Sequence, residues 1–168
     1  MQIVHLGQSC MLVEIGTARL LLDPGIYSTG FEELTGLDAV LVTHQHPDHL
    51  DLDRLPALLA ANPASQLIVD VGTAGPLADA GIAYRLIGPG DQLELAGATV
   101  DVLLLPTAAP WLKVSEAVDY LRAVDPGLAV PIHQAILAKP EKHYELFREL
   151  APVGTEVHVV AHAEPFTL

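Results

Sequence analysis

The sequence has one cysteine among its 168 residues, so no disulfide can form within the chain. Cys10 lies in an apolar stretch and is predicted to be a small buried side chain. Basic residues are also scarce, since 8 Lys and Arg oppose 21 Asp and Glu and give a formal net charge of −13. A charge of that sign repels phosphate backbones, which argues against a nucleic-acid partner.

Long apolar runs are absent as well, and none reaches the length of a membrane span. The first residues, Met1–His5, read as a strand without the basic and apolar segments of an export signal. We therefore expect a cytoplasmic protein with no membrane partner. Hydrophobic residues make up 51% of the sequence, enough for the core of a single domain over residues 1–168.

Short β-rich runs separated by turn residues open the chain, and strands then alternate with helical patterns, which predicts a mixed α/β layered domain. The predicted strands are Gln2–Leu6, Cys10–Ile15, Ala18–Leu22, Ala39–Thr43, Gln66–Val69, Ala83–Ile87, Leu93–Leu95, Asp101–Leu105, Ala129–Ile132 and Glu156–Val160. Four helices are predicted. The first has Leu52, Leu55, Leu58 and Leu59 at helical spacing, and the second is Thr73–Ala80 with Thr73 as its N-cap. The third is capped by Ser115 and has Val118, Leu121 and Val124 on one stripe, and the fourth is Pro140–Leu150.

Metal-ligand residue types crowd into residues 44–49, directly after the apolar run Ala39–Thr43. The ligand types are His44, His46, Asp48 and His49. In an extended segment the side chains at i and i+2 point the same way, so the first two histidines can converge on one ion. Pro47 turns the chain and aims the last two toward a second position. Imidazole and carboxylate ligands suit Zn, Fe or Mn, and this density at a strand end favours metal binding over a solvated histidine-rich loop.

A second apolar strand pattern, Val130–Ile132, ends in His133. Alone it would be interpreted as a structural histidine, but the incomplete cluster elsewhere makes ligation the better interpretation. The other histidines lack such context and are predicted not to bind metal; they are His5, His143, His158 and His162.

Residues 44–49 match, letter for letter, the H-x-H-x-D-H signature of the metallo-β-lactamase superfamily, which the chain resembles. The resemblance to the lactonase-like branch also covers Gly7–Cys10, Leu21–Gly25, Val102–Pro106 and Val130–His133. It implies an αββα sandwich, one or two zinc ions (or Mn or Fe), and hydrolysis of a small-molecule substrate.

The resemblance also implies roles for individual residues. His44 and His46 would hold the first metal, and Asp48, His49 and His133 the second. Asp23 matches an acid that orients a ligand histidine from behind, a role that commonly sets the imidazole tautomer. Asp48 is also the candidate catalytic residue, either as a ligand or by orienting the nucleophile.

The chain departs from the family pattern in two places. Gln8 stands where the branch often has a histidine. A further first-site histidine and a bridging aspartate are missing, because Leu95–Val100 runs directly into the strand at Asp101. The mid-chain segment that should carry both, with strands of the second sheet, is therefore predicted to be absent. Asp101 is rejected as a substitute because it lies about 16 Å from the far end of its strand; Asp70 is a weaker candidate.

Three protein ligands with an open fourth position are typical of catalytic zinc. The leading hypothesis is a hydrolase whose metal-bound hydroxide attacks an ester, lactone, thioester or phosphoester. The alternative is a reduced, non-catalytic protein that keeps the metal for structure or association; an engineered deletion is a third explanation for the gap. Lost strands would expose sheet edges, so a homodimer or higher oligomer is expected.

Overall fold

Ten strands and four α-helices are present in residues 1–88, 102–110 and 112–167, the parts of the chain that the computed structural model describes. The strands are β1 Gln2–Gly7, β2 Cys10–Ile15, β3 Ala18–Leu22, β4 Ala39–Val42, β5 Gln66–Val69, β6 Arg85–Leu86, β7 Val102–Pro106, β8 Leu128–Ile132, β9 Glu156–Val157 and β10 Pro165–Thr167. The helices are α1 Leu55–Ala61, α2 Val71–Asp79, α3 Val114–Val124 and α4 Glu141–Leu150. This mixture confirms the predicted α/β class.

The chain divides into two units, Met1–Ala98 with Ala161–Leu168, and Thr99–Val160. Each unit has its own sheet and hydrophobic core. The assignment of residues 1–168 to one domain stays a prediction. No helix in the described residues is long and apolar enough to cross a membrane.

The first unit holds a seven-stranded sheet in the order β10-β1-β2-β3-β4-β5-β6. Its strands are antiparallel from β10 to β3 and parallel from β3 to β6. Because β3, β4 and β5 are parallel, their carboxyl ends share one edge of the sheet, where α/β proteins place their ligands. Asp23, Thr43 and Asp70 directly follow these three strands, so the topology brings the candidate acids and the histidine-rich loop to a common edge.

The core of the first unit forms between the sheet and the connections that cover it. Phe31, in a short 3-10 turn after β3, is fully buried and packs in one cluster with Leu55 and Leu58 of α1. Leu55 and Leu58 are three positions apart, which places their side chains on one face of the helix. Leu52 lies before α1 and is 38% exposed, so its assignment to the helical stripe is wrong. Cys10 is buried as predicted.

Helix α2 begins earlier than predicted, and Asp70 rather than Thr73 is its N-cap. The Asp70 carboxylate accepts hydrogen bonds from the amides of Gly72 (2.9 Å) and Thr73 (3.0 Å). Burial raises the pKa of Asp70, but the hydrogen bond from the Thr73 hydroxyl, together with these two amide bonds, outweighs this and holds the pKa below its usual value. A carboxylate at this position satisfies amides that the first turn leaves without a helical partner.

Asp70→Ala is therefore expected to reduce the free energy of unfolding by about 1 kcal/mol at pH 7. The folded-state pKa is depressed, so the stabilisation is present above the unfolded value near 3.8 and is lost as the pH falls through the folded value. Urea titrations of the wild type and the variant at pH 7 and in acid measure this difference. Asp79→Ala, at the other end of α2, is the matched control and should lose no stability; an equal loss in both variants would contradict the capping role.

The second unit contains a parallel sheet of β7, β8 and β9 in that order, with α3 and α4 packed on it. Leu105, Leu121 and Phe147 are fully buried in its core. In the described residues this sheet has three strands against seven in the first unit.

Three further predictions of local structure need correction or fall outside the described residues. Helix α3 begins at Val114 with Lys113 as its N-cap, whose amide donates to the Glu116 carboxylate (3.0 Å), so the assignment of Ser115 as the cap is wrong. The last predicted strand is shorter than expected, and β10 follows it unpredicted. The strand Leu93–Leu95, Asp101 and the proposed deletion junction lie outside the described residues.

Two outer strands of the seven-stranded sheet, β6 and β10, are only two and three residues long. Short outer strands offer few backbone groups for pairing with another chain. The homodimer or higher oligomer expected from exposed sheet edges stays a prediction.

Candidate metal centre

The loop at residues 44–49, here called the metal loop, brings three ligand-type side chains together. His44, His46 and Asp48 each offer one ligand atom, and these atoms all lie within 4.8 Å of one another. The rings of the two histidines meet edge to face, with centroids 4.7 Å apart. Two imidazoles and a carboxylate at this separation are a donor set that fits a divalent cation.

His49 lies behind these residues, only 4% exposed, and a buried carboxylate determines its tautomer. Its Nδ1 lies 2.7 Å from Oδ2 of Asp23. Since a carboxylate only accepts hydrogen bonds, Nδ1 carries the proton and Nε2 keeps its lone pair. Nε2 lies 3.5 Å from Oδ2 of Asp48, so these two ligand-type atoms face each other.

Asp23 is 2% exposed, and three donors surround its carboxylate. The Thr43 amide donates to Oδ1 (2.7 Å), while the Thr43 hydroxyl (2.8 Å) and His49 Nδ1 donate to Oδ2. These bonds compensate the cost of burying the acid. Asp23 adopts φ +47°, which is uncommon outside glycine, and such backbone conformations concentrate at functional sites. The contact with His49 is the one that an orienting acid requires.

Asp48 is held from the turn between β1 and β2. The side-chain amide of Gln8 donates to Oδ2 of Asp48 (3.3 Å), and the Ser9 hydroxyl donates to its carbonyl (3.0 Å). Both turn residues are buried, and Gln8 has φ +50°. Gln8 was noted in the sequence only as a departure from the family, and neither Ser9 nor Thr43 was predicted to contact the site. Their roles depend on contacts between segments far apart in the chain, which no local spacing reveals.

The surroundings of His44 lower the pKa of its imidazole. Partial burial, followed by the neighbouring His49 and His46, lowers its pKa, and these effects exceed the opposing attraction of Asp23 and Asp48. The neutral imidazole is the form that binds metal, so this environment favours the competent state.

His133 belongs to the second unit and directly follows β8. Its Nδ1 lies 3.1 Å from the carbonyl oxygen of Ala108, so Nδ1 carries the proton and Nε2 keeps its lone pair, as in His49. Its φ of +66° is again unusual for a residue other than glycine. The assignment of His133 to the same site as Asp48 and His49 stays a prediction.

The remaining histidines have other surroundings. His5 is buried, with Nε2 3.1 Å from the Gln8 carbonyl, and His158 pairs with Glu156 at 3.3 Å. Among the described residues, neither they nor His143 and His162 join a group of three ligand atoms.

Comparison with known proteins identifies the family. A family model described as a β-lactamase superfamily domain matches residues 2–99. Protein Rv0786c of Mycobacterium tuberculosis is 47% identical, over 82% of this chain and 86% of its own length. The chain belongs to the metallo-β-lactamase superfamily. The resemblance seen in the sequence is therefore confirmed.

The absence of a mid-chain segment, which the sequence predicts, stays a prediction. The family model ends at residue 99, close to the place where the sequence predicts the gap.

Solved structures show the same fold. A candidate metal-dependent hydrolase from Parabacteroides distasonis superposes with a TM-score of 0.72 and 18% identity, covering 95% of this chain and 92% of that one. A diiron β-hydroxylase from Streptomyces venezuelae gives a TM-score of 0.67 at 13% identity, covering 99% of this chain and 54% of that one. Proteins named a metal-dependent hydrolase and a diiron β-hydroxylase thus resemble the metallo-β-lactamase fold of this chain.

Proposed function

We propose that this chain is a zinc-dependent hydrolase of a small, uncharged acyl compound such as an ester, lactone or thioester. The observation that carries the proposal is the convergence of His44, His46 and Asp48 on one point. His49, with its tautomer set by Asp23, lies directly beside them. Following the family pattern, His133 belongs to this proposal as the third ligand of the second metal.

A bound divalent cation would supply Lewis acidity and a hydroxide nucleophile at neutral pH. The residues of the chain prepare the site for it. Asp23 holds the proton of His49 at Nδ1, so Nε2 is the atom available for metal. Gln8 fixes Oδ2 of Asp48, which leaves the other carboxylate oxygen to bind the ion or to orient the attacking water.

The charges of the first unit favour neutral substrates over phosphoesters. Its described residues, 1–88 and 161–167, contain three basic side chains, and each is already engaged. Arg19 pairs with Glu14, Arg54 with Asp51 and Glu32, and Arg85 bonds to the Gln66 side chain. Recognition of phosphate commonly uses arginine as a bidentate donor, so a phosphoester would find no uncommitted arginine in this part of the molecule.

Zinc is the proposed metal because imidazole with one carboxylate per ion is typical of catalytic zinc. Manganese and iron are the alternatives, and a diiron β-hydroxylase is among the proteins that resemble this fold, over 54% of its own length. Metal analysis of protein purified without added metal separates them. About one ion per chain would support the second site alone, in line with the site's three predicted ligands.

The test of the function is hydrolysis before and after removal of metal. We expect activity on p-nitrophenyl acetate, a γ-lactone or a thioester to disappear after chelation and to return with zinc, and activity on bis-p-nitrophenyl phosphate to be much weaker. Zinc ion without protein is the control, because the free ion itself promotes hydrolysis of activated esters. Turnover that survives complete removal of metal would refute the proposal, and a preference for the phosphodiester would refute the substrate class.

The second candidate function is a reduced, non-catalytic protein in which metal stabilises the fold or an oligomer. The sequence supports it, since the further histidine and the bridging aspartate of the family pattern have no counterpart in it. Such a protein would gain thermal stability from zinc, because a ligand that binds the folded state stabilises that state. It would hydrolyse none of the substrates above.

A further inference from the structure

We propose that Arg54 is a positioning residue for the metal loop, although it follows the last loop ligand by five positions and is itself no ligand. Its guanidinium connects the start of α1 to residues 25–32, here called the supporting loop, which in turn lies against the metal loop. The inference concerns the metal site of the proposed function and does not depend on hydrolysis.

The Arg54 side chain makes a dense set of contacts. Its Nε donates to Oδ2 of Asp51 (2.6 Å), Nη1 to the carbonyl of Ser28 (3.0 Å), and Nη2 to the carbonyl of Gly25 (2.9 Å). Nη1 also pairs with the Glu32 carboxylate. The guanidinium carbon lies 4.4 Å from the centre of the Phe31 ring, a cation–π distance. Four of these five partners belong to the supporting loop.

These contacts depend on the guanidinium group. Its planar fork of donors can reach two carbonyls and two carboxylates at once, whereas a lysine ammonium is a single point charge. Burial lowers the pKa of Arg54, but its hydrogen bonds to Asp51 and Glu32 outweigh this and raise the pKa, so the guanidinium stays charged.

The supporting loop transmits this constraint to the metal loop through its backbone. Gly25 packs so closely that an added Cβ would lie 2.6 Å from the amide nitrogen of His49, and closer still to the Asp48 carbonyl group. The Ile26 amide donates to the carbonyl of Pro47 (2.8 Å). Just after the metal loop in the chain, the Asp51 amide donates to the carbonyl of Pro24 (2.9 Å), the residue that precedes the supporting loop.

Arg54 is thus bonded to the carbonyl of Gly25, the residue at which an added Cβ would collide with the backbone of two ligand candidates. Without the guanidinium group the supporting loop could shift. The backbone of Asp48 and His49 would then lose its close packing against Gly25. Metal geometry tolerates displacements of only a few tenths of an ångström, so affinity should fall even while the fold survives.

The variants Arg54→Lys and Arg54→Met test this, with Arg19→Lys as the matched control. Arg19 also pairs with a carboxylate (Glu14) and a carbonyl (Thr35), but it lies at the start of β3, away from the metal loop. Zinc affinity is measured by competition with a chromogenic chelator, and hydrogen exchange of the amides of residues 46 and 48–50 is measured in metal-free protein. Both Arg54 variants should bind zinc about tenfold more weakly, the usual scale for residues that support ligands, and exchange these amides faster.

Equal zinc affinity and equal exchange in Arg54→Lys and Arg19→Lys would overturn the proposal, as would an effect on thermal stability alone. Glu32→Gln, which removes one partner of the guanidinium, provides a milder variant if both Arg54 variants fail to fold, and it should shift exchange in the same direction. If the wild type binds no zinc, the proposed function fails, and the exchange measurement alone then decides the role of Arg54.

Discussion

Replacing His49 by alanine is expected to weaken zinc binding on the order of 100-fold and to abolish metal-dependent hydrolysis. His49 is the candidate ligand that the protein has prepared most fully. It is buried, and its Nδ1 proton is held by Asp23 at 2.7 Å. Its Nε2 faces Asp48 at 3.5 Å. Removing it deletes a candidate ligand and leaves the buried Asp23 carboxylate without one of its three donors, so zinc affinity and stability should both decline.

Competition with a chelator measures the affinity, and metal analysis of the purified variant measures retention. His158→Ala is the matched control, because this histidine pairs with Glu156 and was predicted not to bind metal. His133→Ala should resemble His49→Ala if both ligate the second metal, while His46→Ala should have the smaller effect expected of the incomplete first site. Unchanged zinc affinity in His49→Ala would contradict the whole assignment.

Gly25→Ala is expected to destabilise the protein by about 3 kcal/mol, the upper range for overpacking, and to disturb the metal loop with it. The added methyl would collide with the backbone of Asp48 and His49 rather than with a flexible side chain. Neither loop can give way easily, since bonds such as that from the Ile26 amide to Pro47 hold them together. Denaturant unfolding measures the stability, and zinc affinity of the folded fraction reports the loop.

Gly75→Ala is the control for this variant. Gly75 lies inside α2, and apart from its chain neighbours nothing lies within 4 Å of an added Cβ. The helix propensity of alanine and its position before Pro76 oppose each other, so this variant should change stability by less than about 1 kcal/mol. A Gly25→Ala protein with wild-type stability and zinc affinity would show that the two loops are not packed as described.

Much of the first unit could be predicted from its sequence. Alternating and continuous apolar runs located β1 to β5 to within one residue, because side-chain period and flanking turn residues determine such strands locally. The metal loop was found by the density of ligand types after β4, and the family that its pattern indicates was confirmed by comparison. These features depend on residues that are close together in the chain.

Other features could not be predicted, because they depend on residues that are distant in the chain. Asp70 caps α2, but the sequence alone could equally have used Thr73, whose hydroxyl now bonds to that same carboxylate. β10 is too short to have a pattern of its own and forms only because β1 offers it an edge. The partners of Arg54 span residues 25–51, so no spacing rule connects them.

The sequence by itself determined the family, the α/β class and the identity of the candidate ligands, since these follow from local pattern and residue chemistry. Only the tertiary structure decided how the ligands are prepared. Parallel pairing of β3 with β4 brings Asp23 beside Thr43 and His49. The turn after β1 places Gln8 and Ser9 against Asp48. The physical reason is that hydrogen bonds act over about 3 Å, and only folding brings residues twenty to forty positions apart to that distance.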